Sequence, residues 1–520
     1  MNSKFDSEKA DDTMIEKIKD AASGKTGLTT NIRDHPKLWP RSLKLLVLFN
    51  ICLMTFNGNF YSAGPSTALG YLVKEFHVGY PDVAPLISYV VLMIGIGCLL
   101  WIPTAKIFGK RLVLIAANFI FLAGCIWSVK ATSLNSLLGA RILGGFGAGA
   151  VQAIGAAVIG DVFLEQDYSK AVAMYSLSLC LGAQIGPLFS GHIALNLGWR
   201  WIFKINTILV GCNLAIAIPL LPETAFTLEG STGATAAFLD NQLKETVAGR
   251  SMRQGLLPAI KKGTLYVKHP HVRGGGIKQW FSTFFYQFEF LIDPIVLCTG
   301  GLWGIVMSWV IVISVTTSQL FAPPPFLFTS AAMGNWTGTS MIGIIIALPI
   351  AGPVVDILSR KLSELKGGHQ PEYRLYSMIV PFVICSPGLL LFGYTYLKGS
   401  YYGPAVGFAM QAAGLTLVPS AVISYAIDSY PYNSAEVVAA INFLTHLMAF
   451  ALSRTSPQWL QRVGVEKLFI EMSVVQWAIF FGLTIPLIVF GSWIRKKTTS
   501  FHDRFGTNHN SNSSIEQAGH

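Results

Sequence analysis

The chain has 520 residues, of which 52% are hydrophobic and only 12% are Asp, Glu, Lys or Arg. Soluble globular proteins carry about 25% charged residues. The composition therefore excludes a soluble enzyme, a nucleic-acid-binding protein and a disordered scaffold, despite a net charge of +11. It indicates an integral membrane protein.

Long stretches without any charged residue run through the whole chain. A helix needs about 20 apolar residues to cross about 30 Å of hydrocarbon. Ten stretches fit single spans: Leu45–Val73, Val83–Ala105, Leu112–Val129, Ile142–Gly160, Ala171–Trp199, Ile205–Pro222, Leu375–Leu397, Gly399–Ile427, Val437–Ser453 and Met472–Ile494. An eleventh, Pro294–Val355, fits two spans that Ala322-Pro323-Pro324-Pro325 separates. The sequence predicts twelve helices, since continuously apolar runs disfavour a barrel.

The polar segments divide the chain into five parts. We expect a disordered tail at 1–42, a six-helix bundle at 43–222, a basic central loop at 223–290, a second six-helix bundle at 291–494 and a disordered tail at 495–520. The predicted fold is an all-α membrane protein with twelve transmembrane helices in two pseudo-symmetric bundles.

The positive charges predict the orientation of the chain. With both termini in the cytosol, 29 of the 38 Lys and Arg residues fall on the cytosolic side, as the positive-inside rule requires. The excess charge then faces anionic lipid, not nucleic acid. No apolar segment precedes the first span, so we expect no cleavable signal peptide. We expect a multi-pass protein, most simply in the plasma membrane.

The loops after spans 2 and 8 repeat a basic pattern 250 residues apart. The first ends in Gly109-Lys110-Arg111, and the second contains Gly352, Asp356 and Arg360. Parallel six-helix repeats joined by a long loop are a transporter architecture. The repeat therefore favours membrane transport as the function.

Spans 4 and 5 carry two further motifs. Arg141 opens a glycine-rich segment of span 4, where a cation is costly unless it is paired, faces a cavity or snorkels to the interface. Span 5 contains Gly182-Ala-Gln-Ile-Gly186-Pro187-Leu-Phe-Ser190-Gly191. Its small residues allow close helix packing, and Pro187 frees a backbone carbonyl and permits a bend.

Together these motifs resemble the major facilitator superfamily, and more closely its fungal twelve-helix drug:proton antiporter branch. Leu197-Gly198-Trp199-Arg200-Trp201, Pro222-Glu223-Thr224 and Pro371-Glu372-Tyr373-Arg374 add to the resemblance, which covers about 37–497. It implies three coupling or gating elements: the two loops with Gly109, Lys110, Arg111, Gly352, Asp356 and Arg360, the coupling residue Arg141, and the hinge with Gly182, Gly186, Pro187 and Gly191. The first loop departs from the family pattern, because Lys106 replaces its Asp.

Polar residues at bilayer depth are candidates for a substrate site. The resemblance implies that spans 1, 4, 7 and 10 line a central cavity, which spans 2, 5, 8 and 11 flank. The expected substrate-binding residues are Asn57, Asn59, Gln152, Gln184, Trp303, Trp309, Gln411, Asn442 and His446. Each amide could instead form an interhelical hydrogen bond, worth about 0.6–2 kcal/mol.

No Asp or Glu lies near the middle of a predicted span. Such a cavity suits an amphipathic, weakly polar molecule better than a polycation, which would require buried carboxylates. His446 is the only titratable side chain near a span centre, and the unperturbed pKa of histidine is about 6.5. His446 is therefore a candidate for proton coupling, with a neutral, hydrogen-bonded core histidine as the alternative.

We therefore expect a secondary active transporter, not an enzyme, that exports a drug, toxin or secondary metabolite in exchange for protons. The alternative is proton-coupled uptake of a nutrient or an organic cation such as a polyamine. A receptor is disfavoured because the tails are short. Gly24-Lys25-Thr26 lacks the first glycine of a phosphate loop, so no nucleotide is expected. The cysteines show no zinc framework, and no metal or other cofactor is expected. The expected partners are the substrate, protons and the lipid bilayer, with the chain acting as a monomer.

Overall fold

A computed structural model of the protein describes residues 36–163, 165–224, 276–366, 370–430 and 433–517. Most of the expected N-terminal tail and of the expected central loop lies outside these residues, and so does the Gly-Lys-Thr segment near the N-terminus.

Within the described residues, twelve helices are long and apolar enough to cross a membrane. Spans 1 to 12 are Arg41–Phe76, Tyr80–Phe108, Lys110–Lys130, Leu134–Val162, Lys170–Leu197, Arg200–Leu220, Pro294–Phe321, Ser330–Leu365, Pro371–Leu397, Tyr402–Ser429, Ser434–Val463 and Val465–Thr498. Each predicted stretch overlaps one span, and the long stretch divides after Phe321, next to its prolines. The prediction of twelve helices is confirmed.

Local chemistry explains where spans begin and end. Asp293 caps span 7, because its Oδ1 accepts hydrogen bonds from the N–H groups of Ile295 and Val296 at 2.8 and 3.2 Å. The Tyr430 hydroxyl donates to Asp293 at 2.7 Å. Burial raises the pKa of Tyr430, so this hydroxyl stays protonated as a donor. Gly464, with φ of +79°, makes the turn between spans 11 and 12.

The twelve spans form two bundles, spans 1–6 and spans 7–12, whose main contacts lie at two interfaces. Span 2 packs against span 11 at the 2–11 interface, and span 5 packs against span 8 at the 5–8 interface. The side on which span 1 begins and span 12 ends is called the termini side, and the opposite side is called the far side. Both interfaces run between these two sides.

One helix lies inside the segment expected to be a loop. The linker helix, Gly276–Leu291, precedes span 7 and packs against spans 2 and 11. Phe281, Phe285 and Phe288 follow the three- and four-residue spacing of a helix face and are exposed. The described part of the expected loop thus begins as a helix, which apolar residues at this spacing stabilise.

The end of the chain also differs from the expectation. The helix that forms span 12 continues to Gln517, past the boundary of the expected disordered tail at 495. No proline follows Pro486 to interrupt the helix.

Candidate functional site

The two bundles are joined on the far side by contacts to backbone carbonyl groups. The Ser318 hydroxyl of span 7 donates to the carbonyl of Ser66 in span 1 at 2.8 Å. The Ser330 hydroxyl of span 8 donates to the carbonyl of Gly191 in span 5 at 2.9 Å. Ser66, Ser318 and Ser330 are almost fully buried, so the far side is closed.

Glycines allow this closure at the 5–8 interface. A Cβ atom at Gly191 would collide with the carbonyl oxygen of Ser330. A Cβ atom at Gly334 would lie 2.7 Å from the carbonyl oxygen of Leu188. Backbone therefore packs on backbone here, which only glycine permits. Gly191, which the span 5 motif singled out, is brought to the interface, whereas no sequence pattern pointed to Gly334.

The other residues of the span 5 motif face span 1. A Cβ atom at Gly182 would lie 2.5 Å from the carbonyl oxygen of Phe56, and one at Gly186 would lie 3.2 Å from the carbonyl oxygen of Phe60. The carbonyl of Pro187 accepts a hydrogen bond from the Thr67 hydroxyl at 3.1 Å. The motif thus joins span 5 to span 1 at one end and to span 8 at the other.

Arg141 is fully buried and binds the far-side end of span 1. Its guanidinium donates to the carbonyls of Tyr61 and Ser62 in span 1 and of Leu86 in span 2. It also lies 4.3 Å from the centroid of the Tyr61 ring, at cation–π distance. Beyond these carbonyls the helix tightens to a 3₁₀ turn over Gly64–Ala68. Arg141 therefore satisfies carbonyl groups at a break in span 1.

The first basic loop is fixed by acidic residues of its own bundle. Lys110 bonds the carboxylate of Asp161, at the end of span 4, at 2.6 Å. The backbone N–H groups of Lys110 and Arg111 both donate to Glu223 at 3.1 Å. Gly109, with φ of +90°, makes the turn into span 3. The loop thus holds the termini-side ends of spans 3, 4 and 6 together.

Lys106, which replaces the family's acid, forms an ion pair across the 2–11 interface. Its Nζ bonds the carboxylate of Glu436, in the first turn of span 11. The Glu436 side chain is only 7% exposed, whereas that of Lys106 is 46% exposed. The sequence analysis did not identify Glu436 as a site residue. An acidic residue in the first turn of a helix was the available signal.

The second basic loop keeps its charges within the second bundle. Arg374, at the start of span 9, lies 3.8 Å from Asp356 and 2.6 Å from Asp428, at the end of span 10. Arg360 is exposed, and a Cβ atom at Gly352 would meet nothing within 4 Å. Asp356 occupies the position in the second loop that Lys106 occupies in the first. Among the described residues, it makes no ion pair between the bundles.

Three of the predicted amides lie inside the first bundle, and two of them are hydrogen bonded to each other. Asn59 of span 1 accepts a hydrogen bond from Gln152 of span 4 at 3.2 Å and donates to the carbonyl of Thr55. Asn57 is 1% exposed, and neither of its amide atoms has a hydrogen-bond partner among the described residues. A buried amide without a partner is costly, so Asn57 can accept a polar ligand group.

Two predicted residues lie at the interfaces between the bundles. Gln184 of span 5 accepts a hydrogen bond from the Ser340 hydroxyl of span 8. His446 of span 11 packs so closely against span 2 that a Cβ atom at Gly95 would lie 2.7 Å from its own Cβ. The structure therefore distributes the predicted residues between the bundles' interiors and both interfaces.

The hydrogen bond of His446 fixes the position of one proton. Its Nδ1 lies 2.6 Å from the carbonyl oxygen of Asn442. A carbonyl can only accept, so Nδ1 carries the hydrogen. Nε2 is buried and has no hydrogen-bond partner among the described residues. Nε2 is therefore left able to receive a further proton.

The remaining predicted residues pack within the second bundle. Trp309 is fully buried, with its ring centroid 6.1 Å from that of Trp459. Trp303 is partly buried against the same core. Gln411 donates to the carbonyl of Val306 in span 7 at 3.5 Å. These contacts join spans 7, 10 and 11. That Trp303, Trp309 and Gln411 contact a substrate stays a prediction.

A groove of about 550 Å³ lies elsewhere, on the outer face of spans 8, 9 and 10. Its walls are almost wholly apolar, and Ile342, Ile346 and Val406 are more than half exposed along it. None of the predicted site residues lines this groove. It is separate from the polar groups between the bundles.

Known proteins share this architecture. A family model described as Major Facilitator Superfamily matches residues 47–453. An uncharacterized MFS-type transporter of Schizosaccharomyces pombe is 21% identical, over 91% of this chain and 88% of the relative. The efflux pump vrtL of Penicillium aethiopicum is 26% identical, over 83% and 82%. A crystal structure of a POT family transporter in complex with 5-aminolevulinic acid is 15% identical, with a TM-score of 0.60, over 89% of this chain and 99% of that one. This last likeness supports the fold alone.

Proposed function

The chain belongs to the Major Facilitator Superfamily, and from that premise we propose that it exports an amphipathic small organic molecule by proton antiport. The coarser conclusion, a multi-pass membrane transporter with the major facilitator fold, rests on the family match and the twelve spans. The exported molecule is a drug, a toxin or a secondary metabolite. The transporter acts as a monomer in the plasma membrane, with its termini side in the cytosol.

The packing of span 5 carries the proposal of export. Gly182 and Gly191 place the backbone of span 5 against the backbones of spans 1 and 8. The motif that contains them resembles that of the drug:proton antiporter branch. A relative named as an efflux pump, aligned over 83% of this chain, further supports this direction of transport.

Alternating access follows from the arrangement of the two bundles. The far side is closed by the contacts of Ser318 and Ser330 with backbone carbonyls. The termini side differs, because Lys170 of span 5 and Asp356 of span 8 are both exposed there. Rocking of one bundle against the other would open the far side and close the termini side.

The three amides in the first bundle are the proposed substrate-binding residues. Asn57 offers an amide without a hydrogen-bond partner among the described residues, and Asn59, two residues further along span 1, is hydrogen bonded to Gln152. Amides can orient a weakly polar molecule by hydrogen bonds without binding a strong charge. The site therefore favours neutral or weakly charged amphipathic substrates over polycations.

His446 is the proposed proton site. Its buried Nε2 can accept a proton, while the bond from Nδ1 to Asn442 keeps the ring oriented. A charge at this position would be costly unless the helices separate. Protonation would therefore be coupled to a movement of span 11 relative to span 2.

Cellular accumulation tests the direction of transport. We would express the chain in a yeast that lacks its own exporters and screen a panel of fluorescent dyes, antifungal drugs and polyamines. The expected result is lower accumulation of amphipathic compounds than in cells with Gly191→Val, a variant produced at matched levels. Higher accumulation that follows the inward proton gradient would overturn export and favour uptake.

His446→Gln tests proton coupling. The variant keeps a polar side chain of similar size but cannot titrate between pH 5 and 8. We expect export of the compound found in the screen to lose its dependence on pH. Leu447→Ala is the control, because it shortens an exposed side chain next to His446 and leaves the carbonyl that His446 bonds. An unchanged pH profile in His446→Gln would exclude the coupling role.

A further inference from the structure

The linker helix presents a row of exposed aromatic rings. Phe281, Phe285 and Phe288 are 49%, 62% and 39% exposed, and their spacing places them on one side of the helix. The ring centroid of Phe285 lies 6.3 Å from that of Phe281 and 6.4 Å from that of Phe288. The three rings therefore form one continuous surface, which we call the aromatic face.

The other side of the linker helix contacts both bundles. Near its beginning, the indole N–H of Trp280 donates to the hydroxyl of Thr104 in span 2 at 3.0 Å, and its ring stacks on Phe284. Near its end, Phe290 is fully buried, and its ring centroid lies 6.2 Å from that of Tyr430, directly after span 10. The helix thus lies across the 2–11 interface on the termini side.

The exposed apolar surface continues from the linker helix into a membrane span. Ile292, between the helix and span 7, is exposed, and so is Leu297 in the first turn of span 7. Exposed apolar side chains of a span meet the hydrocarbon of the bilayer. Because the aromatic face adjoins this surface, lipid is the partner that fits it.

The charges beside the aromatic face favour anionic lipid. Between residues 261 and 278 the sequence has five Lys or Arg residues and no Asp or Glu. Lys278 is the one of the five that the described part of the chain includes, and it is exposed at the start of the linker helix. Helices with an aromatic face and basic neighbours bind at the surface of anionic bilayers.

We propose that the aromatic face binds the anionic lipid leaflet on the termini side, and that this binding holds the linker helix against span 2. The rings enter the boundary between headgroups and acyl chains, and Lys278 faces the lipid phosphates. Phe290 fixes the end of the helix to the second bundle, so the contact of Trp280 with Thr104 depends on the lipid. Lipid charge thereby stabilises the 2–11 interface. The inference does not depend on the substrate or on the direction of transport.

Fluorescence quenching tests whether lipid covers the aromatic face. Phe285→Cys in the full chain would carry a nitrobenzoxadiazole probe, in nanodiscs of phosphatidylcholine with or without an equal part of phosphatidylserine. A phosphatidylcholine with a nitroxide on its acyl chain serves as the quencher. We expect quenching about twofold or more above that of the same probe at Lys170→Cys, an exposed position on the termini side. Phosphatidylserine should increase it further.

The background of this measurement comes from the native cysteines, whose labelling is measured on the unsubstituted chain and subtracted. If the probe at Phe285→Cys is quenched no more than the probe at Lys170→Cys in both lipid mixtures, the proposal is overturned and a protein partner is left as the occupant. Equal quenching of the Phe285→Cys probe with and without phosphatidylserine would exclude the preference for anionic lipid.

Disulfide cross-linking tests whether the lipid acts on span 2. Trp280→Cys and Thr104→Cys would be combined, with a protease site inserted between residues 224 and 250, so that a cross-linked chain stays as one band after proteolysis. We expect about threefold more cross-linking with phosphatidylserine than without it. Trp280→Cys with Lys170→Cys is the control for random collisions. An equal cross-linked fraction in both lipid mixtures would exclude an effect of the lipid on the 2–11 interface.

The unfolding temperature in nanodiscs gives an independent readout. Phosphatidylserine should raise it for the unsubstituted chain, and Phe281→Ser with Phe288→Ser should remove this increase. Phe481→Ser with Phe490→Ser, at exposed positions of span 12, is the matched control and should keep it. An increase that persists in the linker-helix variant would show that phosphatidylserine acts elsewhere on the protein.

Discussion

The 2–11 interface is in contact from one side to the other, whereas the 5–8 interface is in contact only on its far half. Span 2 meets span 11 at Ser88 with Ser453, at Gly95 with His446 and at Lys106 with Glu436. Span 5 meets span 8 at Gly191 with Ser330, at Gln184 with Ser340 and at Cys180 with Ile344, and the described residues show no ion pair between them beyond this point.

This difference shows how two interfaces of related geometry can have different tasks. The far half of the 5–8 interface is built from backbone contacts that permit no side chain at Gly191. The termini half of the 2–11 interface depends on one partly buried ion pair. The first is therefore sensitive to volume, and the second is sensitive to charge.

The largest effect is expected from Gly191→Val. The new side chain would collide with the Ser330 backbone, which cannot move aside as a side chain could. The far side should open, and a cysteine introduced at the buried Ser318 should react about tenfold faster with a hydrophilic maleimide, since a minor open state of at most about 10% would become the major one.

Gly482→Val is the control for this prediction, because a Cβ atom at Gly482 meets nothing within 4 Å. Labelling of the native cysteines is measured on a chain that retains Ser318, and this background is subtracted. Equal labelling rates in Gly191→Val and Gly482→Val would show that the close backbone packing does not hold the far side closed.

An intermediate effect is expected from Glu436→Lys. The substitution places two positive charges together at the termini side of the 2–11 interface. We expect a lower unfolding temperature in detergent and partial recovery when Lys106→Glu is added, with a coupling energy of about 1–3 kcal/mol. Lys467→Glu, at an exposed lysine near the start of span 12, is the charge-reversal control. Purely additive effects of the two substitutions would contradict the ion pair.

The smallest effect is expected from Ser340→Ala. It leaves the buried amide oxygen of Gln184 without its donor across the 5–8 interface. The expected loss is about 0.6–2 kcal/mol, measured as a lower unfolding temperature. Ser308→Ala is the matched control, because the Ser308 hydroxyl bonds the carbonyl of Gly304 in its own helix. A larger loss in Ser308→Ala would indicate that the contact between the bundles contributes little.

For several candidate site residues the sequence located the position but could not name the residue that it contacts. Gly191 was expected in a hinge, and the structure brings it to span 8; the short-range motif could not name Ser330 as the residue it meets. Lys106 was recognised only as a departure from the family pattern. Its partner Glu436 is 330 residues away, and no local pattern joins them.

The sequence also could not show which side of a transmembrane helix is buried. Span 7 is apolar on all sides, so its periodicity could not show which way Trp309 faces. The structure places this side chain against Trp459. For Asn57 and Gln152 the sequence located polar groups in spans 1 and 4, and the fold decided that only Gln152 pairs with Asn59.

The sequence by itself determined the number of spans, because the cost of burying charge in hydrocarbon leaves long charge-free runs in the chain. Only the tertiary structure decided which charges meet at each interface. That choice depends on the relative position of two bundles, and contacts between residues distant in sequence set this position. For the same reason, Lys106 is paired with Glu436 across the 2–11 interface, while Lys170 and Asp356, near the termini-side ends of spans 5 and 8, are each paired within their own bundle.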